Sequence, residues 1–400
     1  MKRIFVIILS ISFLILLTGC WNRKELNELA IVVGLGIDKS DDQFIVTVQV
    51  VNPGEIATKQ GTSGKAPVVV YQDKGDTLFE AIRRITTISP RKLYFSHLRF
   101  LVYGEELARE GIGETLDALT RDQEFRTDFY ITVAKEAKGG DILRVLTALE
   151  KIPVNQLYDS LEASQKSWSP TITITLDQLI TELVSPGIDA KLTGITLKGE
   201  EQTGEVIENV QRTEPYTRLK YQDIGVFKGD KLIGWLNEEE SKGLNEALGN
   251  VKSTILEVPC TKKGKTAIEL IRTKSDIKTV VAKDGPKGII KYKAEANIGN
   301  VQCKTLDLMK PETISDLETK AENNIKKMIR ETLKVTQENF ETDLFGFGEA
   351  LHRSNPDYWK QAKSNWNQQY KELPVELKVD VRIKRIGTIK NSPLNKISKQ

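Results

Sequence analysis

Apolar side chains follow two rhythms along this chain, and the changes of rhythm mark its elements. Residues 30–38 (AIVVGLGID) are almost continuously apolar and read as a strand that ends in the polar turn 39–42. Phe44, Val46, Val48 and Val50 then alternate with Ile45, Thr47 and Gln49, so the hairpin partner is largely buried on both faces. Residues 54–67 are polar and read as a mobile loop. After Thr77 the period becomes helical: Leu78, Ala81, Ile82, Ile85 and Ile88 recur until Ser89-Pro90 stops the helix. Residues 93–103 read as a strand, 105–110 and 112–120 as short helices, and 129–134 as a strand. Helices are predicted at 140–149, 154–168 and 176–184, and residues 188–198 return to strand sequence. This alternation predicts a mixed α/β domain over 20–200, its sheet covered by helices.

The next stretch, 201–254, is shorter and more polar. Residues 224–227 and 231–235 read as strands joined through Gly229-Asp230, a hairpin-turn signal, and 238–248 as a helix closed by Gly249. From 255 to 388 strand-like runs at 253–258, 266–272, 277–282, 288–298 and 303–308 are separated by Lys, Asp and Gly turns. Pro311-Glu312 opens a helix, expected over about 312–343, whose Ile314, Leu317, Ala321, Ile325, Met328, Thr332 and Val335 form an apolar stripe. Roughly 30 helical residues would span about 45 Å, and such a helix needs a broad surface to lie on. Val375, Leu377, Val379, Val381 and Ile383, alternating with charged residues, supply a sheet with one apolar face. The expected fold is therefore α+β in three units: an N-terminal mixed sheet with helices, a small middle module, and a C-terminal antiparallel sheet packed on a long helix. Residues 389–400 read as a frayed, flexible tail.

The start of the chain changes the picture. Lys2 and Arg3 precede fourteen residues, 4–17, that are apolar except for two serines, and Thr18-Gly19-Cys20 follows. Charged, apolar and small-residue regions in that order are an export signal, and the apolar run is too short to serve as a lasting bilayer span. Leu17-Thr18-Gly19-Cys20 resembles a bacterial lipobox, which implies removal of 1–19 and diacylation of Cys20. Two acyl chains hold a protein on a membrane where one does so only marginally. Cys260 and Cys303 then remain as an even pair in an exported chain; a disulfide and two separate buried thiols both fit the sequence.

Composition excludes more than it identifies. The 400 residues are 39 % hydrophobic and 28 % charged with a net charge of +3, an ordinary globular balance with no basic excess for a nucleic-acid partner. Loss of Lys2 and Arg3 with the leader lowers that balance to +1. The two histidines, His97 and His352, have no cysteine or acidic residue at metal-ligand spacing, so no metal site is expected. Ser96-His97 would lie on opposite faces of a strand, which argues against a nucleophile and base. Gly34-x-Gly36 lacks the third glycine and following helix of a dinucleotide site and reads as a close backbone approach within a strand. Glu124 with Asp128, and Glu238-Glu239-Glu240, read as solvated helix faces or caps. Trp359 and Trp366, seven apart, read as a shared core face or a protein-binding anchor.

Several blocks, in this order after the lipobox, resemble the C subunits of spore germination receptors, the Ger(x)C lipoproteins. They are residues 20–29 (CWNRKELNEL), 34–38 (GLGID), 96–100 (SHLRF) with 104–112 (GEELAREGI), 119–126, 225–236 (GVFKGDKLIGWL) and 239–248. The resemblance covers nearly all of the mature chain and is weakest over 54–75 and the tail. It implies a three-domain, non-enzymatic protein, lipid-anchored on the outer face of the spore inner membrane, acting with a polytopic A-type subunit and a transporter-like B-type subunit in assembly or signalling. It implies no cofactor beyond the acyl groups on Cys20, and no catalytic residues. Ser96, His97, Arg99, Gly104, Gly229, Gly234 and Trp235 are its candidate interaction or structural positions. An alternative, a lipid-anchored extracytoplasmic solute-binding protein, would require a deep interdomain cleft with convergent polar groups. A cell-wall hydrolase would require two carboxylates of unequal pKa in a cleft.

Overall fold

The computed structural model describes residues 3–5, 26–57, 66–260, 264–303 and 306–387. Cys20, almost all of the expected leader, the segment 58–65 and the tail lie outside them. Thirteen described strands form two sheets. The first has nine strands: β1 (Leu29–Ser40), β2 (Gln43–Val51), β3 (Val68–Gly75), β4 (Lys92–Tyr94), β5 (Phe100–Gly104), β6 (Tyr130–Ala134), β7 (Lys191–Lys198), β8 (Arg218–Lys228) and β9 (Lys231–Leu236). Their order is β3-β2-β1-β5-β6-β7-β8-β9, with β4 beside the start of β1. β1, β5, β6 and β7 run parallel, and the flanking pairs are antiparallel.

Alternation along β5 shows why both faces are covered. Phe100 and Val102 belong to a core with α4 (Gly139–Arg144) and α5 (Pro153–Ser167). Leu101 and Tyr103 belong to the opposite core, with α1 (Leu78–Ile85), α2 (Glu105–Glu110), α3 (Gly113–Arg121), α6 (Leu176–Val184) and α7 (Glu238–Leu248). All four side chains are fully buried, as the two-residue period of a strand between helical layers requires. The β8–β9 hairpin, expected in the middle module, extends this first sheet through β7, and α7 leaves it to pack on the C-terminal unit.

The second sheet orders β10 (Thr254–Pro259), β11 (Lys265–Ala282), β12 (Gly285–Val301) and β13 (Val375–Arg385). The expected antiparallel ladder runs through β10, β11 and β12, whereas β13 joins in parallel after a helical return. That return begins with α8 (Pro311–Val335), which buries Leu317, Ala321, Ile325, Met328, Ile329, Thr332 and Leu333. A π-helical turn, Thr336–Phe340, prolongs α8 and ends at Glu341 with φ 53°, short of the expected residue 343. The Gln337 amide fixes this turn by donating to the carbonyls of Tyr370 and Leu373. α9 (Phe347–Ser354), α10 (Pro356–Ala362) and α11 (Trp366–Lys371) complete the return. Trp359 and Trp366 meet edge to face, 5.4 Å between ring centroids, both inside the core.

Four sequence expectations fail for local physical reasons. Residues 93–103 are two strands, because Leu98 N–H donates to Phe95 O at 2.8 Å and closes a turn whose apolar residues are buried. The helix expected over 140–149 stops at Arg144, since Leu146 N–H donates to Gly204 O. Residues 266–272 and 277–282 are one strand: polar Lys274, Ser275 and Asp276 pair across to β12 rather than turning. Among its described residues, 303–308 contains no strand.

Candidate functional site

The GLGID block builds a joint. A Cβ on Gly36 would stand 2.9 Å from the Gly139 carbonyl carbon, so β1 and the start of α4 touch backbone to backbone. Asp38 follows, 3 % exposed, and its carboxylate accepts from Gly139 N–H at 2.7 Å and Gly140 N–H at 2.9 Å. These are the unpaired donors of a helix start, and a carboxylate there is favoured. Burial nevertheless pushes the Asp38 pKa up, against the lowering effect of the two N–H donors. Gly104 is required by the same carboxylate: a Cβ there would lie 2.0 Å from Asp38 Oδ1. The expected close approach is thus to a helix end, and Asp38 is the residue sequence reasoning missed.

The second block builds another joint. Gly229 turns the β8–β9 hairpin at φ 58°, which places Asp230 against the start of α3. Asp230 Oδ2 accepts from Gly113 N–H at 3.0 Å, and its carbonyl accepts from Ile112 N–H at 3.0 Å. Trp235 lies over Gly194 and Gly225, where side chains would collide with its ring. Its Nε1–H donates to Glu105 Oε1 at 3.1 Å, and Lys135 Nζ sits 5.2 Å from the ring centroid. Burial raises the Glu105 pKa, but hydrogen bonds from Glu136 N–H, Trp235 and Arg109 outweigh it and hold the carboxyl below its ordinary value. Gly234 faces the other way, toward the C-terminal unit, and leaves room for Phe340 at the end of the π-helical turn.

Ser96, His97 and Arg99 open onto a cleft. It holds about 360 Å³ and is lined also by Ile31, Val33, Arg126, Asp128 and Tyr158. The Ser96 hydroxyl donates to Glu124 O at 3.1 Å, while the exposed His97 ring lies edge-on to Tyr94 at 5.9 Å. Neither residue is on a strand, and each is turned to a different neighbour, so the pair is not a nucleophile and base. The Arg99 guanidinium lies 4.2 Å from the Tyr158 ring centroid and donates to Asn155 Oδ1 at 2.6 Å. Arg126 pairs with Asp128 at 2.6 Å. A larger cleft of about 570 Å³ lies between α6 and the start of α9 with Phe345 and Gly346 before it, and in it Lys191 Nζ pairs with Glu182 Oε1 at 2.5 Å.

Cys260 and Cys303 are joined as a disulfide between the end of β10 and the residues after β12, with Cα atoms 6.0 Å apart. Glu240 closes a capping box with Asn237, and Glu124 pairs with Lys92. Among the described residues no three His, Cys, Asp or Glu side chains converge where a metal could be held, and no helix is long and apolar enough to cross a membrane. The seven candidate positions therefore separate into four places: two joints inside the N-terminal unit, one contact between units, and one cleft.

The whole chain has recognisable relatives. Residues 22–197 match the family model described as spore germination protein N-terminal domain, and residues 222–387 match spore germination B3/GerAC like, C-terminal. Spore germination protein KC of Bacillus subtilis is 30 % identical over 402 residues, covering 98 % of this chain and 98 % of its own. Spore germination protein B3 of the same organism is 24 % identical, covering 95 % and 98 %; GerQC of Bacillus cereus is 23 % identical, covering 97 % and 99 %. The crystal structure of the GerBC protein superposes with a TM-score of 0.56 over 88 % of this chain and 96 % of that one at 19 % identity, a likeness of fold.

Proposed function

The chain belongs to the GerAC-like family of spore germination proteins and is a non-enzymatic subunit of a germinant receptor; from that premise we propose that it is held on the outer face of the spore inner membrane by acyl chains on Cys20 and binds there to a polytopic A-type and a transporter-like B-type subunit. The observation that carries this reading is the match along both units, which begins at residue 22, immediately after the lipobox. Its physical complement is where the motif residues go. Gly34, Gly36, Asp38, Gly104, Gly229, Asp230 and Trp235 are spent on fixing helices to the first sheet, so the signature preserves a rigid body with defined outer surfaces. A rigid, tethered body is suited to holding partners in one orientation, with assembly or signalling as its contribution and nutrient recognition elsewhere.

The test is purification of the tagged chain from detergent-solubilised spore membranes, with mass spectrometry of what accompanies it. Recovery of both polytopic subunits is expected, and Cys20→Ala is expected to lose them together with the nutrient response. Recovery of the chain alone, from membranes shown to contain those subunits, refutes the assembly reading. A retained response from soluble, unacylated Cys20→Ala protein refutes the tether.

A further inference from the structure

β1 enters the first sheet at Leu29, level with Lys92 of the parallel β4. β5 and β6 start on the same edge, with Gly34 level with Phe100 and Phe100 level with Tyr130. The loop leading into β4 forms a lip there. Ile88 is 53 % exposed, and Pro90, Arg91 and Lys92 are exposed beside it. Ser89 is buried beneath the lip and holds its shape: its N–H donates to Ile85 O and its hydroxyl to Arg91 O. His97 and Arg126, both exposed, lie behind on the wall of the small cleft.

The distance from this edge to Cys20 is limited by the chain. Eight residues separate Cys20 from Leu29, and a chain of that length spans at most about 30 Å. Leu26–Glu28 form a 3-10 turn, which shortens the reach further. Ser40, at the far end of the 12-residue β1, is about 36 Å from Leu29 at about 3.3 Å per residue. An anchor at Cys20 therefore keeps the lip close to the bilayer, while the Ser40 end reaches it only with the tether drawn out along the flank of the sheet. The chemistry of the lip suits the near side: Ile88 for the interfacial layer, and the exposed Arg91, with Lys92 and Arg126 that already pair with Glu124 and Asp128, within a Debye length of phosphate.

We propose that the lip of Ile88, Pro90, Arg91 and Lys92, with His97 and Arg126 behind it, is the surface on which the anchored chain rests against phospholipid headgroups. This rests on acylation of Cys20. It leaves the 41–42 turn and the edge it joins pointing away from the membrane.

The experiment uses the acylated full-length mature chain in vesicles of equal phosphatidylglycerol and phosphatidylethanolamine that carry nitroxide headgroups. With Cys20 acylated and Cys260 bonded to Cys303, a thiol introduced by Thr87→Cys or Ser40→Cys takes a fluorophore selectively. Headgroup quenching is expected to be several-fold stronger at position 87 than at position 40. Arg91→Glu combined with Lys92→Glu is expected to weaken it without changing the acylated mass. Equal quenching at both positions, or stronger quenching at 40, overturns the proposal. Quenching at 87 that arises only when the polytopic subunits are present overturns it in favour of a protein occupant. An unacylated Cys20 by mass spectrometry, with the chain in the supernatant, refutes the anchor itself and the proposal with it.

Discussion

Glu246 carries a carboxyl that water does not reach. It lies on the buried side of α7, 1 % exposed, and accepts a hydrogen bond from the Tyr292 hydroxyl of β12. Burial pushes its pKa up to about 7, partly offset by that hydrogen bond. The folded state thus binds a proton that the unfolded chain, with an ordinary value near 4.5, has already released. The stability contributed by the neutral carboxyl is complete below pH 4.5 and is lost as pH rises through about 7, a difference of about 3 kcal/mol. Asp343, pushed up to about 6 by its own burial, acts in the same direction. Glu246→Gln keeps an acceptor for Tyr292 and removes the titration. Urea unfolding should place this variant level with the parent at pH 5 and about 2 to 3 kcal/mol above it at pH 8; equal stability at both values would show that the carboxyl stays charged and solvated. Asp38 predicts the opposite response to removal. Asp38→Ala strands two buried N–H groups at the start of α4 and should cost about 2 to 4 kcal/mol by the same measurement.

Among elements, α7 and α8 touch closely at a glycine. A Cβ on Gly243 would lie 2.3 Å from Thr332 Oγ1 and 2.5 Å from Met328 O. In an open helix Gly→Ala gains about 1 kcal/mol. Here the added carbon must move a backbone carbonyl, and overpacking of that kind costs about 1 to 3 kcal/mol. Gly243→Ala is therefore expected to lower the urea midpoint with no change in slope, and a raised midpoint would mean that the helices have room to part. The disulfide works on the unfolded chain: with its ends 43 positions apart in sequence, replacing both Cys260 and Cys303 by Ser should cost about 4 kcal/mol. These two features differ in how far the sequence reveals them. Cysteines announce a bridge as one of two options, whereas nothing near Gly243 marks it as a contact. Elements with a clean period were legible to within a residue or two, as in α6, α7 and β13. Those that failed have a partner elsewhere: the turn at Phe95–Leu98 interrupts an apolar run because Phe95 and Leu98 are buried in the core, and polar 274–276 is strand because β12 lies alongside.

At the scale of the molecule, the same rule decides what was visible of the candidate site. The blocks were legible as strings, but Asp38 meets Gly139, Asp230 meets Gly113, Trp235 meets Glu105 and Gly234 meets Phe340, pairs separated by about a hundred residues that no local pattern connects. The joint between the two sheets is of this kind. Asp189 N–H donates to Asp343 O at 2.9 Å, Asp343 N–H donates to Asp189 Oδ2 at 2.8 Å, and the Asp343 carboxylate accepts from Gly346 N–H, Gly348 N–H and Trp366 Nε1–H. Gly187 seals it: its carbonyl accepts from Glu349 N–H at 3.0 Å, and a Cβ there would stand 2.5 Å from that nitrogen. One hydrophobic core passes from the first sheet through α7 to the second, so the parent should unfold as a single unit. Gly187→Val must open the joint, and it leaves both sheets and their own helices intact. Calorimetry of the leaderless chain carrying Cys20→Ser should then resolve two transitions where the parent shows one. A single transition at the parent's temperature would mean that the shared core through α7 and the Gly234–Phe340 contact couple the units without this joint.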